Sequence, residues 1–162
     1  MKKQKIVAVS GVKNSGKTTL LEKLIPELNR RGMKCAVIKH DGHSFEPDRE
    51  GTDTWRMLTA GAAGAAVFDG EKYQLVKYAE ISEPGLIDLF PEADLILLEG
   101  FKHSPWPKIE VVRKANSDSL NCDPATLLAL MTDTTLRPAG VPTFGLEDVK
   151  ALAERICDYI EE

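Results

Sequence analysis

Cysteine is scarce in this chain, and its three residues, Cys35, Cys122 and Cys157, stand far apart without a Cys-x-x-Cys pair. That spacing excludes a disulfide framework and a cysteine metal clip, and it points to a reducing compartment. Long hydrophobic runs are missing as well. No stretch approaches the roughly 20 apolar residues that cross a bilayer. The basic start Met1-Lys2-Lys3-Gln4-Lys5 resembles the head of an export signal, but the apolar run behind it, residues 6–9, is far shorter than such a signal's core. A cytoplasmic protein without membrane association is therefore expected. A basic surplus is also lacking. The net charge of −4 argues against broad nucleic-acid binding, which needs cations to neutralise many phosphates, yet it leaves room for one local phosphate site.

Apolar runs recur at residues 5–10, 34–39, 94–99, 109–112 and 127–131, several of them continuous rather than alternating. Such runs suit strands covered on both faces. Helical periodicity lies between or after them. Residues 17–31 carry Leu20, Leu21, Leu24, Ile25 and Leu28, and residues 147–159 carry Val149, Leu152, Ile156 and Tyr159. Alternating strands and helices predict an α/β fold with a mainly parallel sheet flanked by helices. Arg31-Gly32 supplies a helix stop, and Glu147-Asp148 sets carboxylates at the positive end of the last helix. Pro26 removes a helical hydrogen bond at a cost of about 3 kcal/mol, so a kink or break is expected near residues 21–25. Asp69-Gly70 between two apolar runs reads as a hairpin turn, which predicts a mixed sheet on that side. With no repeat or long linker, residues 1–162 form one nucleotide-binding domain in this reading, with a mobile stretch at about residues 41–51.

Gly11-Val12-Lys13-Asn14-Ser15-Gly16-Lys17-Thr18 matches G-x-x-x-x-G-K-[ST] in full, directly after a predicted strand and before a predicted helix. A chance match at this length has a probability of roughly 0.5% from average residue frequencies. The spacing has a chemical reason. Gly11 and Gly16 let the backbone turn tightly against phosphates, and successive N–H groups and the helix's positive end face the anion. Lys17 is assigned to the β- and γ-phosphates and Thr18 to Mg²⁺, a hard cation that takes oxygen ligands.

The metal needs a second carboxylate, and the strand at residues 94–99 offers Asp94 and Glu99. In a parallel sheet the ligand lies beyond the carboxyl ends of the strands, and Asp94 would sit about 16 Å below Glu99. Glu99 is therefore the candidate for holding Mg²⁺ or orienting an attacking water, and Asp94 is read as a turn residue.

These residues resemble the molybdopterin-guanine dinucleotide biosynthesis protein B (MobB) family of small P-loop proteins. The resemblance is carried by the loop through Thr19, by Val37-Ile38-Lys39-His40-Asp41-Gly42-His43, by Asp48 with Gly51-Thr52-Asp53-Thr54, by Ala60-Gly61-Ala62, and by Leu98-Glu99-Gly100-Phe101-Lys102 with Pro107-Lys108-Ile109-Glu110. It implies a P-loop NTPase fold with a β-hairpin extension. It further implies a homodimer that binds GTP, hydrolyses it weakly, and assists the guanylyltransferase that attaches GMP to molybdenum-bound molybdopterin. The loop's Val12-Lys13-Asn14 departs from the aromatic or small residues common in members.

The expected nucleotide contacts are Gly11, Asn14, Ser15, Gly16, Lys17, Thr18, Thr19, His40, Asp53 and Lys102. Lys17 and Glu99 are the catalytic candidates, and Thr18, Glu99 and Asp53 the Mg²⁺ ligands. His40 and His43 are candidates for phosphate, pterin, metal or dimer contacts, with a simple loop role as the alternative, and two histidines alone do not make a zinc site. Asp48 and Asp53 lie in a polar stretch suited to moving a carboxylate toward Mg²⁺. Lys102, Lys108 and Arg113 are candidate clamps for an anionic cofactor or partner, and Trp106 is either a stacking platform or a packing plug. No Asn-Lys-x-Asp guanine motif is present. Thr132-Asp133 is a weak base-reading candidate, so GTP rests on the resemblance. A small-molecule kinase and a nucleotide-switched metallochaperone-like carrier are the competing classes.

Overall fold

The structure, a computed structural model, describes residues 4–162, and the basic Met1-Lys2-Lys3 lies outside the described residues. In chain order the elements are β1 (Lys5–Ser10), α1 (Lys17–Arg30), β2 (Cys35–Lys39), α2 (Asp53–Thr59), β3 (Gly64–Phe68), β4 (Tyr73–Lys77), α3 (Glu83–Ile87), β5 (Leu95–Glu99), β6 (Lys108–Val112), β7 (Leu127–Thr132), β8 (Thr143–Phe144) and α4 (Val149–Glu161). They form two compact units, residues 4–40 with Leu86–Glu162, and Asp41–Gly85.

The first unit is built on a six-stranded sheet in the order β2-β5-β1-β6-β7-β8, and every recorded pairing in it is parallel. Its central strands β5, β1, β6 and β7 are buried on both faces, as their continuous apolar runs require, while the edge strands β2 and β8 are partly exposed. Val7, Val9, Leu95, Leu97, Ile109 and Val111 pack with Leu24 of α1 and Leu152 and Ile156 of α4. On the other face Ile6, Ala8, Ile96 and Leu98 pack with Ile87 and Ala93. The chain leaves β1 toward β2 on one side and later returns to β6 on the other. The strand order thus reverses at β1, whose carboxyl end opens into the crevice where α/β sheets hold ligands.

α1 continues through Pro26 without a break. Leu20, Leu21, Leu24 and Leu28 are buried on both sides of the proline. At about 1.5–3 kcal/mol for each buried side chain, this packing outweighs the roughly 3 kcal/mol that proline costs. The helix stops as read from Arg31-Gly32, with Gly32 at φ 80°. Among the described residues no helix is long and apolar enough to cross a membrane.

In the second unit α2 is capped by Thr52, whose side chain accepts from the Trp55 N–H at 3.2 Å. The Asp-Gly signal does mark a hairpin, β3 against β4, with Asp69 Oδ1 accepting from the N–H groups of Glu71 and Lys72. The expectation of a mixed sheet fails, because the hairpin is a separate two-stranded antiparallel sheet. Local turn chemistry specifies a hairpin but not the sheet it joins.

Candidate functional site

The loop of residues 11–18 leaves β1 after Ser10 and enters α1 at Lys17. Three residues take left-handed backbone, Gly11 at φ 148°, Asn14 at φ 61° and Gly16 at φ 100°. Asn14 is the non-glycine residue among them, a type that tolerates this region because its short polar side chain bonds locally. Gly11 also has no room for a side chain, since a Cβ there would lie 2.6 Å from the Val111 carbonyl oxygen. Gly16 is the N-cap of α1 and contributes no side-chain cap. The first-turn N–H groups therefore have no capping side chain, and with the helix dipole they favour an anion at this point.

Lys17 folds back over the loop and donates from Nζ to the carbonyl oxygens of Gly11 and Val12, both at 2.9 Å. Burial lowers its pKa from the ordinary lysine value, the Glu99 carboxylate opposes that shift, and Lys39 adds to it. The ammonium is partly desolvated and close to a carboxylate, so an incoming phosphate oxygen would meet a cation that water does not fully screen.

Thr18 Oγ1 donates to Glu99 Oε1 at 3.1 Å, which brings the first turn of α1 to the end of β5. Glu99 is only 8% exposed. Two hard oxygens at this spacing match the edge of an octahedral Mg²⁺ shell, about 3.0 Å for bonds near 2.1 Å. Among the described residues no group of three or more His, Cys, Asp and Glu is arranged to hold a metal. A cation here would complete its shell from phosphate and water, the ordinary arrangement for Mg²⁺.

Asp94, at the opposite end of β5, accepts from the Lys34 N–H at 3.0 Å and so holds the turn into the sheet. His40 stands beside Glu99, its N–H donating to the Glu99 carbonyl oxygen at 3.0 Å and its ring edge-on to Phe101 at 5.7 Å. His43 belongs to the second unit, where its N–H bonds Asp41 Oδ1. So does Asp53, exposed at the start of α2 and 3.9 Å from Arg56. Asp48 there accepts from Thr54 Oγ1 and the Arg49 N–H. Lys102 is exposed in the turn after β5.

One reading needs correction and one open reading is resolved. Lys108 does not clamp an anion. It is 2% exposed and its Nζ donates to the Ser104 and Trp106 carbonyl oxygens, so it pins its own loop. Trp106 packs against the core beside Ile6 and Ala8, which makes it the packing plug. Sequence reasoning also missed the brace beneath the phosphate loop. Arg113 Nε donates to the Ser15 carbonyl oxygen at 3.4 Å, and Asn116 Nδ2 to that of Lys13 at 3.5 Å. Only the placement of β6 beside β1 could have revealed it. Asp133 Oδ1 accepts from the Lys114 N–H at 2.6 Å, which commits part of that carboxylate to the same segment.

The family model described as "Molybdopterin guanine dinucleotide synthesis protein B" matches residues 6–133. The molybdopterin-guanine dinucleotide biosynthesis adapter protein of Haemophilus influenzae is 37% identical over 162 residues, covering 96% of this chain and 87% of that protein. Its Escherichia coli counterpart is 31% identical over 97% of this chain and 94% of its own length. The crystal structure of Bacillus subtilis MobB superposes with a TM-score of 0.76 at 31% identity, covering 93% of this chain and 97% of that one. A family model spanning most of the chain, relatives covered nearly end to end and a matching crystal structure agree, and the chain belongs to the molybdopterin guanine dinucleotide synthesis protein B family.

Proposed function

We propose that this chain acts as one nucleotide-binding domain, binds GTP with Mg²⁺ at residues 11–18, hydrolyses it slowly, and serves as an adapter in molybdopterin guanine dinucleotide biosynthesis. The observation that carries the reading is the adjacency of Lys17, Thr18 and Glu99 at the carboxyl ends of β1 and β5. On binding, Lys17 exchanges its two loop carbonyls for the β- and γ-phosphate oxygens. The N–H groups of Asn14, Ser15, Gly16 and Thr19 cradle the phosphates. Thr18 and Glu99 would hold Mg²⁺ in place of their mutual hydrogen bond, and the ion would supply neutralisation of phosphate charge. Glu99 is also placed to orient an attacking water. His40 and Lys102 are assigned outer positions around the phosphates.

The adapter role follows the relatives, which are named adapter proteins of this biosynthesis. The proposed partners are a molybdopterin guanylyltransferase, molybdopterin itself and a second copy of this chain, all in the cytoplasm. Exposed Phe68, Tyr73 and Leu75 on the hairpin support a protein-facing surface. Calorimetric titration of GTP and ATP in Mg²⁺ buffer tests the core of the proposal. GTP should bind more tightly than ATP, and both Lys17→Ala and omission of Mg²⁺ should weaken it. Absence of Mg²⁺-dependent triphosphate binding would refute it.

A further inference from the structure

Lys39 ends β2 as an exposed side chain. In the sheet register it is the partner of Glu99, which is in turn the partner of Val9 at the end of β1. We infer that Lys39 is a second lysine for the terminal phosphate, placed so that the site holds a nucleoside triphosphate in preference to the diphosphate. The inference rests on the phosphate-site reading and adds to it the group by which the protein tells its loaded state from its spent one.

Strand alternation fixes the face on which this side chain stands. On β2, Cys35 packs against the core cluster that holds Leu24 of α1, whereas Ala36 and Ile38 belong to the cluster on the opposite face. Lys39 is in phase with Cys35 and so shares the α1 face. On β5 the same alternation carries Leu95 and Leu97 to that face and sets Glu99 there, where Thr18 Oγ1 donates to it at 3.1 Å. Neighbouring strands lie about 4.8 Å apart, so Lys39 flanks Glu99 on the side away from β1. Its charge also helps to lower the Lys17 pKa, which puts the two ammonium groups within electrostatic reach of each other. Lys17, Thr18, Lys39 and Glu99 all belong to the first unit.

Two ammonium groups around one carboxylate leave this corner net positive, and like charges so placed repel until an anion joins them. Among the described residues Lys39 makes no hydrogen bond and no ion pair, so its three N–H donors remain to be used. Its position decides which phosphate it meets. Thr18 and Glu99 are the oxygen pair assigned to the metal, and a metal shared with a nucleotide takes β- and γ-oxygens. They therefore mark the end of the site where the γ-phosphate lies, and that is the end Lys39 flanks. The loop's N–H groups and Lys17 serve a diphosphate as well. Loss of the γ-phosphate removes the group nearest Lys39 and returns the two cations to mutual repulsion.

Calorimetric titration in Mg²⁺ buffer with two ligands, GDP and the β,γ-imido analogue of GTP, tests the inference. Wild-type protein should bind the analogue more tightly than GDP. Lys39→Ala and Lys39→Met should each weaken the analogue about tenfold or more and leave GDP within about twofold. Methionine keeps most of the apolar stem without the charge, so equal losses assign the effect to charge. Lys17→Ala should weaken both ligands. The inference is overturned if the analogue and GDP weaken together in Lys39→Ala, if Lys39→Met keeps the analogue's affinity, or if wild-type protein binds GDP as tightly as the analogue. Each of those results leaves the phosphate site standing. Wild-type protein that binds neither ligand would instead remove the phosphate-site reading, and this inference with it.

Discussion

Gly11→Ala is the substitution whose cost can be worked most directly from the structure. At φ 148° the backbone of Gly11 occupies a region that L side chains rarely adopt, and forcing one there costs about 1–3 kcal/mol. The new methyl would also meet Val111's carbonyl oxygen at 2.6 Å and Ser15 Oγ at 2.5 Å. The serine can rotate, but the carbonyl is part of β6 and cannot yield without disturbing the sheet. Overpacking of this kind adds about 1–3 kcal/mol. Together these give about 2–6 kcal/mol, a fall of about 4–24 °C in melting temperature for a domain of this size. Gly16→Ala supplies the contrast. Its φ of 100° brings strain, but its nearest neighbour is the far end of Arg113 at 3.1 Å, which can move. It should lose roughly half as much. Gly42→Ala, where a methyl meets nothing within 4 Å and the backbone is not left-handed, should be neutral or gain about 0.4–1 kcal/mol. Thermal unfolding of the three variants ranks them. A Gly11→Ala melting temperature within about 2 °C of wild type, or equal to that of Gly42→Ala, would refute the reasoning.

Three further outcomes are expected. Glu110 is fully buried and its carboxylate accepts from the N–H groups of Asn121 and Cys122 at 2.6 and 3.1 Å. Glu110→Ala orphans both donors and should destabilise the chain by about 2–5 kcal/mol in chemical denaturation. Phosphate binding should be pH-dependent through Lys17, whose pKa in the free protein lies below the ordinary value of 10.5 because of burial. A bound phosphate favours the charged form, so affinity is full below the free-state pKa and falls as pH rises through it. Tripolyphosphate titrations from neutral to alkaline pH would show this loss, and a flat profile would contradict it. Burial and the nearby Asp94 push the Cys35 thiol up to about 11. At pH 8 only about one such thiol in a thousand is ionised. Disulfide-exchange reagents should therefore modify Cys35 far more slowly than an exposed cysteine.

The sequence made the phosphate loop and five of the sheet strands legible because each rests on local information. The loop is a contiguous motif, and a strand buried on both faces is a contiguous apolar run. The elements it hid are short or depend on context. β8 is two residues long, α3 is five, and α2 has seven residues with Leu58 as its buried contact. None has enough periodicity to stand above its surroundings. That α1 runs through Pro26 unbroken has the same origin. The cost of Pro26 is local, whereas the burial that offsets it comes from strands placed far along the chain.

For the site, position in the sheet decided what residue type could not. Asp94 and Glu99 are both carboxylates on one strand, yet one holds a turn and the other meets Thr18, because only the carboxyl end of β5 lies beside the loop. Lys102 and Lys108 read alike in sequence, but Lys108 sits on β6 and spends its charge on two carbonyls of its own loop. Arg113 looked like a third member of that set and instead reaches the phosphate loop, since β6 is the neighbour of β1. A cation near the motif in sequence therefore carries little information about binding. Its strand, and which end of that strand it occupies, determine whether its charge faces a ligand, a carbonyl or water.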